Sequence, residues 1–348
     1  MLEKNIIKLG SSVKEAIECI DNGNKKSVCI VDDDMRLVGI FTNGDMRKYL
    51  LKNGDLSKNI DEAMNSNPIT FSSESEARKA MADNKLVAYP IIDENHILQD
   101  VLFAVNGTEN DKISDALKNV PLVIMAGGKG TRLYPYTQVL PKALIPIGDV
   151  TISERIINNF TKYGCKKVYF ILKHKAGMIR SYFNDIDKKY EVDYTEEEEF
   201  LGTGGGLKYL KGKINSTFFV SNCDVLVNAD LECAYRTHKK NKNLITFICA
   251  MKDVTIPYGV ISSDEQGNIT GMKEKPEFSF LTNTGVYVIE PEVLEELNDK
   301  EAIHLPDIAK RCIAAHKKVG VFPISKKSWL DMGQFNEMER MMKELNIN

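Results

Sequence analysis

The chain has 348 residues, 43% of them apolar, which is enough to bury a sizeable core and to form about two domains. A formal net charge of −3 leaves no basic face for nucleic-acid binding, and no apolar run approaches a membrane span. Seven scattered cysteines without a C-x-x-C pair indicate neither a zinc site nor a disulfide framework, and the N-terminus lacks the apolar region of a signal peptide, so a soluble, cytoplasmic protein is expected.

Residues 1 to about 118 contain a weak internal repeat. IIKLGSSVKEAIECI and SVCIVDDDMRLVGIF are echoed about 60 residues later by PITFSSESEARKAM and VAYPIIDENHILQDVLF. Each unit reads as an extended start, an amphipathic helix, and two strands joined by an acidic turn: Asp32-Asp33-Asp34 in the first, Asp93-Glu94-Asn95 in the second. One such unit cannot bury both faces alone, so the two are expected to pack as one module. Gly39-Ile40-Phe41-Thr42-Asn43-Gly44-Asp45 is a strand-to-helix junction where Thr42 can cap the helix and Asp45 can accept hydroxyls. This half resembles a tandem pair of cystathionine-β-synthase (CBS) motifs, whose members hold a nucleotide ribose through that Thr and Asp. The resemblance implies an adenine or guanine nucleotide at Thr42 and Asp45, with a dimerising module that binds no ligand as the alternative. In the second unit, Gln99-Asp100-Val101-Leu102-Phe103-Ala104-Val105 has no glycine and no Thr-x-x-Asp, so at most one ordinary site is expected. Residues 106 to 119 are polar and punctuated, and read as a connector with a short helix.

From about Val120 the pattern changes. Val120 to Met125 is a short apolar run that reads as a buried strand. Gly127, Gly128 and Gly130 follow; they allow a tight turn that brings backbone N–H groups against something large and anionic. Arg132 and Lys142 add fixed positive charge, so the segment reads as a site for a nucleoside triphosphate. It is not a Walker A loop, because Lys129 is followed by Gly130 rather than Ser or Thr. It is not the dinucleotide fingerprint either, because Leu133 stands at the third glycine position. Beyond it, KKVYFIL, TFFVSNCDV, ITFICAM and TGVYVIE alternate with helical stretches, which argues for an α/β sheet with nucleotide at the carboxyl ends of its strands.

The loop resembles the signature of the nucleotidyltransferases that make nucleotide sugars, G-G-x-G-T-R-L-x-P-x-T followed by P-K-x-L-x-P. Gly127, Gly128, Gly130, Thr131, Arg132, Leu133, Pro135, Thr137, Pro141, Lys142, Leu144 and Pro146 match it. Ala143 and Asp149-Val150-Thr151 depart from the usual pattern, at positions that do not touch the phosphates in the family's arrangement. The resemblance implies a mixed, mostly parallel α/β sheet of the GT-A or Rossmann-like kind over 119–348, preceded by an α+β CBS pair over 1–118. With the chain stopping at Asn348, it implies no acyltransferase β-helix.

Further motifs complete the reading. Phe218 to Asp224 is a strand ending in a carboxylate, and Ser328-Trp329-Leu330-Asp331-Met332-Gly333 supplies a second. Two hard oxygen donors from separate strands suit Mg²⁺. In the family the corresponding aspartates bind that ion, the first usually after a glycine where this chain has Cys223. The segment Glu199-Phe200-Leu201-Gly202-Thr203-Gly204-Gly205-Gly206-Leu207 is most like the guanylyltransferases, with Glu199, Gly202 and Thr203 on the base and Glu199 accepting both edge donors of guanine. A solvated acidic run is the alternative for Glu196 to Glu199. Gly259 in Tyr258-Gly259-Val260, Glu274 and Lys275 in Glu274-Lys275-Pro276, and Asn283 would meet the sugar phosphate, with Lys275 neutralising its charge. The resemblance thus implies an enzyme that moves a nucleoside monophosphate from GTP to a sugar-1-phosphate, with Arg132, Lys142 and Lys275 as catalytic cations, Mg²⁺ as cofactor, and a homo-oligomeric state. Its rivals are mannose-1-phosphate as the sugar, a uridylyl or thymidylyl donor, and a nucleotide sensor without turnover.

Overall fold

A computed structural model describes residues 2–23, 25–52, 54–82, 86–104, 114–299, 301–333, 335–345 and 347. The chain divides into two compact units: residues 1–106, 251–281 and 323–327 form the first, and 107–250, 282–322 and 328–348 the second. Among the described residues no helix is long and apolar enough to cross a membrane.

In the first unit, strand Ile6–Lys8 pairs parallel with Ser27–Val31, which pairs antiparallel with Leu37–Thr42. Helix Val13–Gly23 buries Val13, Ala16, Ile17 and Ile20, an i, i+3, i+4, i+7 stripe. That stripe belongs to one apolar cluster with Val28, Ile30, Phe41 and, from the returning segment, Met251. The second repeat supplies helix Glu74–Met81 and the antiparallel pair Ala88–Ile92 and Leu98–Phe103.

The two acidic turns are equivalent atom by atom. Asp32 Oδ1 accepts from the N–H groups of Asp34 and Arg36 at 3.0 and 2.8 Å; Asp93 Oδ1 accepts from those of Asn95 and Ile97, both at 2.9 Å. Met35 and His96 both sit at φ 63°, and the turns clasp each other: the Leu37 N–H donates to His96 O and the Leu98 N–H to Met35 O, each at 2.9 Å. The connector read at 106–119 is described only from residue 114 on, where the chain turns around the buried Leu117. Val105 of the second junction and residues 106–113 lie outside the described residues.

The second unit is built on a seven-stranded sheet in the order Glu191–Glu196, Lys167–Leu172, Leu122–Ala126, Phe218–Asn222, Glu277–Ile289, Ile245–Thr255, Val319–Ile324. The first four strands run parallel, and Glu277–Ile289 runs antiparallel to Phe218–Asn222. The sheet is therefore mixed and mostly parallel, as expected. Residues 251–255, 277–281 and 323–324 of its last three strands are grouped with the first unit. Leu122–Ala126 is buried at every position because the sheet is covered on both faces. Alternate side chains serve the two sides. Val123, Met125, Ile171 and Val220 pack with Leu207, Leu210 and Ile308, while Phe219 meets Phe160 at 5.1 Å and Phe170 meets Phe183 at 4.8 Å. Parallel strands place their carboxyl ends together at one edge, and that edge carries the glycine loop.

Candidate active site

The central strand ends at Ala126 and the chain turns through Gly127 to Gly130. Gly130 is left-handed at φ 66°, its carbonyl accepts the buried Thr137 hydroxyl at 2.7 Å, and a Cβ there would lie 2.9 Å from Thr137 Cγ2. Both the backbone and the space require glycine. Thr131–Leu133 is a single 3₁₀ turn pinned by the buried Leu133, which leaves Gly128, Thr131 and Arg132 exposed where a polyanion can reach them.

Lys142 opens a second such turn above the buried Ala143 and Leu144, and its ammonium forms an ion pair with the Asp224 carboxylate. Both side chains are largely buried, at 12% and 14% exposure. Cys223 has no left-handed backbone, so a side chain fits where the resemblance led to an expectation of glycine. Burial, with help from the Asp224 charge, pushes its thiol up to about 12 and keeps it protonated. Strand Val225–Val227 pairs antiparallel with Trp329–Asp331, Val225 opposite Asp331, and the Met332 N–H donates to Asp224 O at 2.8 Å.

This ribbon brings Asp331 beside Asp224. Burial and then the Asp224 charge raise the Asp331 carboxyl, while the Gly333 N–H at 2.7 Å, Lys142 and Arg132 pull it back. Asp224, Lys142 and Arg132, read from separate motifs, thus all act electrostatically on Asp331. Two neighbouring carboxylates that repel each other fit a divalent cation, and Mg²⁺ needs only one or two protein carboxylates when phosphates and water complete its shell.

Glu197 follows the edge strand Glu191–Glu196, its N–H donating to Leu172 O at 2.8 Å. Its side chain turns inward and is 4% exposed. Oε2 would lie 2.6 Å from a Cβ on Gly127, and Oε1 would collide with a Cβ on Gly206. Among the described residues Oε1 has no hydrogen-bond partner. Burial pushes the carboxyl up to about 7 against the opposing charge of Lys173. An unpaired acceptor therefore sits between the loop of Gly127 to Gly130 and the glycine-rich turn. Glu199, expected from the sequence to face the base, is exposed. Glu197 went unnoticed although it lies in phase with the buried Thr195 across the strand alternation. Gly202 begins the short helix Gly202–Gly205, and the Thr203 N–H donates to His304 Nδ1 at 3.3 Å.

The residues expected at the sugar phosphate are distributed over both units: Gly259, Glu274 and Lys275 in the first, Asn283 in the second. Glu274 Oε2 would lie 2.8 Å from a Cβ on Gly259, so those two are adjacent. Lys275 is exposed at φ 44°. Asn283 is engaged locally, donating from Nδ2 to Tyr287 Oη at 2.8 Å and accepting the Gly285 N–H at 3.0 Å. In the N-terminal module Thr42 caps helix Asn43–Leu51, accepting from the Gly44 and Asp45 N–H groups at 3.1 and 3.2 Å. Asp45 Oδ2 closes the capping box on the Thr42 N–H and hydroxyl at 3.1 and 2.7 Å.

A family model described as nucleotidyl transferase matches residues 122–347, a span that begins with the central strand and contains both carboxylates. The chain belongs to the nucleotidyl transferase family. A CBS domain model matches residues 4–52, the first of the two repeats. The chain is similar to a UTP–glucose-1-phosphate uridylyltransferase of Synechocystis, 31% identical over 192 residues that cover 50% of each chain. It is also similar to a mannose-1-phosphate guanylyltransferase of Mycobacterium tuberculosis, 27% identical over 235 residues that cover 66% of each. It spans about half the length of several curated relatives it matches. The crystal structure of HddC from Yersinia pseudotuberculosis has the same fold, with a TM-score of 0.52 at 24% identity over 65% of this chain and 99% of that one.

Proposed function

We propose that the chain transfers GMP from GTP to a sugar-1-phosphate, glucosamine-1-phosphate in particular, releasing pyrophosphate and forming a nucleotide sugar for surface glycans or nonulosonic acids. The observation that carries the reading is the joint placement of Arg132, Lys142, Asp224 and Asp331 at the strand ends that hold the glycine loop. The combination of this site with an N-terminal CBS module resembles the glucosamine-1-phosphate guanylyltransferase of bacterial legionaminic acid synthesis.

The chemistry asks little of a general base, because a phosphate monoester is already ionised at neutral pH. Its oxygen bonds to the α-phosphorus as the bond to the bridging oxygen breaks, and that oxygen leaves on pyrophosphate. Catalysis is then positioning and charge neutralisation. Arg132 and Lys142 neutralise the phosphates of the donor. Mg²⁺ held by Asp224 and Asp331 would supply further neutralisation of the triphosphate.

Guanine is favoured by Glu197. A carboxylate offers two acceptors, which match the N1–H and N2–H donors of guanine. Uracil and thymine place their one N–H between two carbonyls, and a carboxylate repels those. Since one relative is named for UTP and the other for guanylyl transfer, the base assignment rests on this residue rather than on kinship. The N-terminal module has a modulatory role in this reading, binding an adenine or guanine nucleotide near Thr42 and Asp45.

Pyrophosphate release measured for each NTP against a panel of sugar-1-phosphates tests the whole reading. GTP with glucosamine-1-phosphate should give the highest kcat/KM. A preference for UTP or dTTP would remove the guanine assignment, and no release with any pair would leave a nucleotide-sensing protein as the better account.

A further inference from the structure

Beside the Glu197 carboxylate stands an aromatic ring that the reaction as described does not use. Phe200 is 49% exposed, and two ammonium groups lie over its ring: Lys129 of the phosphate loop at 5.4 Å from the centroid and Lys173 at 5.9 Å. Lys173 also donates to the Glu198 carbonyl, and its Cβ would lie 3.3 Å from a Cβ on Gly127. The ring, the phosphate loop and the buried carboxylate are therefore contiguous within one unit. The carboxylate is the independent sign of a ligand, because its Oε1 is buried and unpaired. An orphan acceptor calls for a donor at its edge, and an exposed ring next to it calls for a flat apolar face. A nucleobase brings both.

We propose that Phe200 is the stacking surface for the base of the bound nucleotide, and that Lys129 rests on its ring only until a triphosphate draws it back to the loop. This rests on the reading of the loop of Gly127 to Gly130 as the nucleotide site and adds a residue that sets affinity through the face of the base, where Glu197 reads its edge. A lysine over an exposed ring is weakly held, so a polyanion at Gly127 to Gly130 outcompetes the ring for it. The vacated face is then available, and purines, with the larger π-surface, gain more from it than pyrimidines.

Phe200→Leu keeps apolar bulk and removes the π-face at an exposed position. It should raise the KM for GTP roughly tenfold to a hundredfold, the range for replacing a stacking aromatic, with kcat unchanged. Phe200→Trp should restore the wild-type KM. Inorganic tripolyphosphate has the phosphates and no base, so its inhibition constant should be the same for wild type and Phe200→Leu. Equal weakening of GTP and tripolyphosphate would overturn the proposal by placing the effect on Lys129 and the loop, and so would an unchanged KM for GTP. A wild-type preference for UTP would sink the guanine reading alone; the Phe200 comparison is then made with UTP and keeps its meaning.

Discussion

Glu197→Gln is the most direct test of base recognition, because it changes the hydrogen-bonding pattern and almost nothing of the shape. In the wild type the two carboxylate oxygens pack against Gly127 and Gly206, and one of them is unpaired among the described residues. Guanine would pair both. The amide keeps one acceptor and turns the other position into an N–H donor that faces a donor of guanine. One charge-assisted hydrogen bond, worth about 1.5–3 kcal/mol, is lost, and a buried donor is left without a partner at a cost of about 1–3 kcal/mol. A combined loss near 3 kcal/mol corresponds to a fall on the order of a hundredfold in kcat/KM for GTP. The same amide can accept from uracil N3–H and donate to a uracil carbonyl, so the GTP-to-UTP ratio should fall further. Steady-state pyrophosphate release with both nucleotides reads the ratio. If Glu197→Gln leaves it unchanged, the carboxylate does not read the base.

The same carboxyl predicts the direction of two pH effects. Burial raises it from 4.5 to about 7 in the folded chain. The folded state therefore binds the proton more tightly than the unfolded state, so the stability this group contributes is fully present below 4.5 and is lost as pH rises through about 7. The full difference has an upper bound of about 3 kcal/mol, reduced by whatever solvent reaches the carboxyl. Glu197→Gln should match the wild-type Tm at acid pH and exceed it at pH 8. Binding runs the other way: guanine needs the ionised form, so the KM for GTP should rise as pH falls below about 7, and the variant should lose that dependence. Coincident Tm curves and KM profiles would refute the buried-carboxylate argument.

Three other outcomes are expected. Asp224→Asn and Arg132→Ala should each lower kcat by at least a hundredfold with an unchanged circular dichroism spectrum, since each removes charge placed against the phosphates; near wild-type turnover in both would dismiss the site. Asp45→Ala removes the acceptor of the capping box, which should cost about 1 kcal/mol in the N-terminal module and abolish calorimetric binding of AMP, ATP or GTP there; binding that survives the substitution would place the ligand elsewhere. Deleting residues 1–106 strips Val13, Ile17 and Phe41 from Met251 and takes Lys14 from its ion pair with Glu277, so the remaining chain should aggregate, as judged by light scattering; a monodisperse truncation would contradict the way the first unit is assembled.

How much of this was legible depended on whether a residue's role leaves a local trace. Leu122–Ala126, Lys167–Leu172 and Phe218–Asn222 are central parallel strands buried on both faces, so they stand out as apolar runs. Glu191–Glu196 escaped notice because it is an edge strand whose outward residues are charged, with Glu191 and Asp193 paired to Lys167 at 3.0 and 2.8 Å. Without that strand the inward phase of Thr195 and Glu197 could not be seen, and the acidic run looked uniform. Val319–Ile324 closes the opposite edge and carries Pro323, which an edge tolerates and a central strand does not. Asp224 and Asp331 were legible through the motifs around them, whereas their proximity needed the ribbon pairing. Nothing around residues 251–281 announces that this segment folds with residues 1–106: Met251 joins that core by tertiary packing, which has no period in the sequence.

The pairing of Lys142 with Asp224 explains why so polar a site tolerates partial burial. In the free protein the ammonium and the carboxylate satisfy each other, so neither charge is left alone in a low dielectric. In the proposed reaction both are needed separately, Lys142 on the phosphates and Asp224 as a metal ligand. Lys142 would leave the carboxylate when another anion receives it, and in the proposal the triphosphate is that anion. Asp224 can lose its lysine only when another cation replaces it. In that proposal nucleotide and metal would each supply what the other's site gives up, and their binding would be positively coupled by linkage. A lysine fixed permanently on Asp224 would stabilise the fold and block the chemistry. Arg132 is exposed and its charge already reaches Asp331, so in the proposal it would meet the phosphates while that exchange takes place.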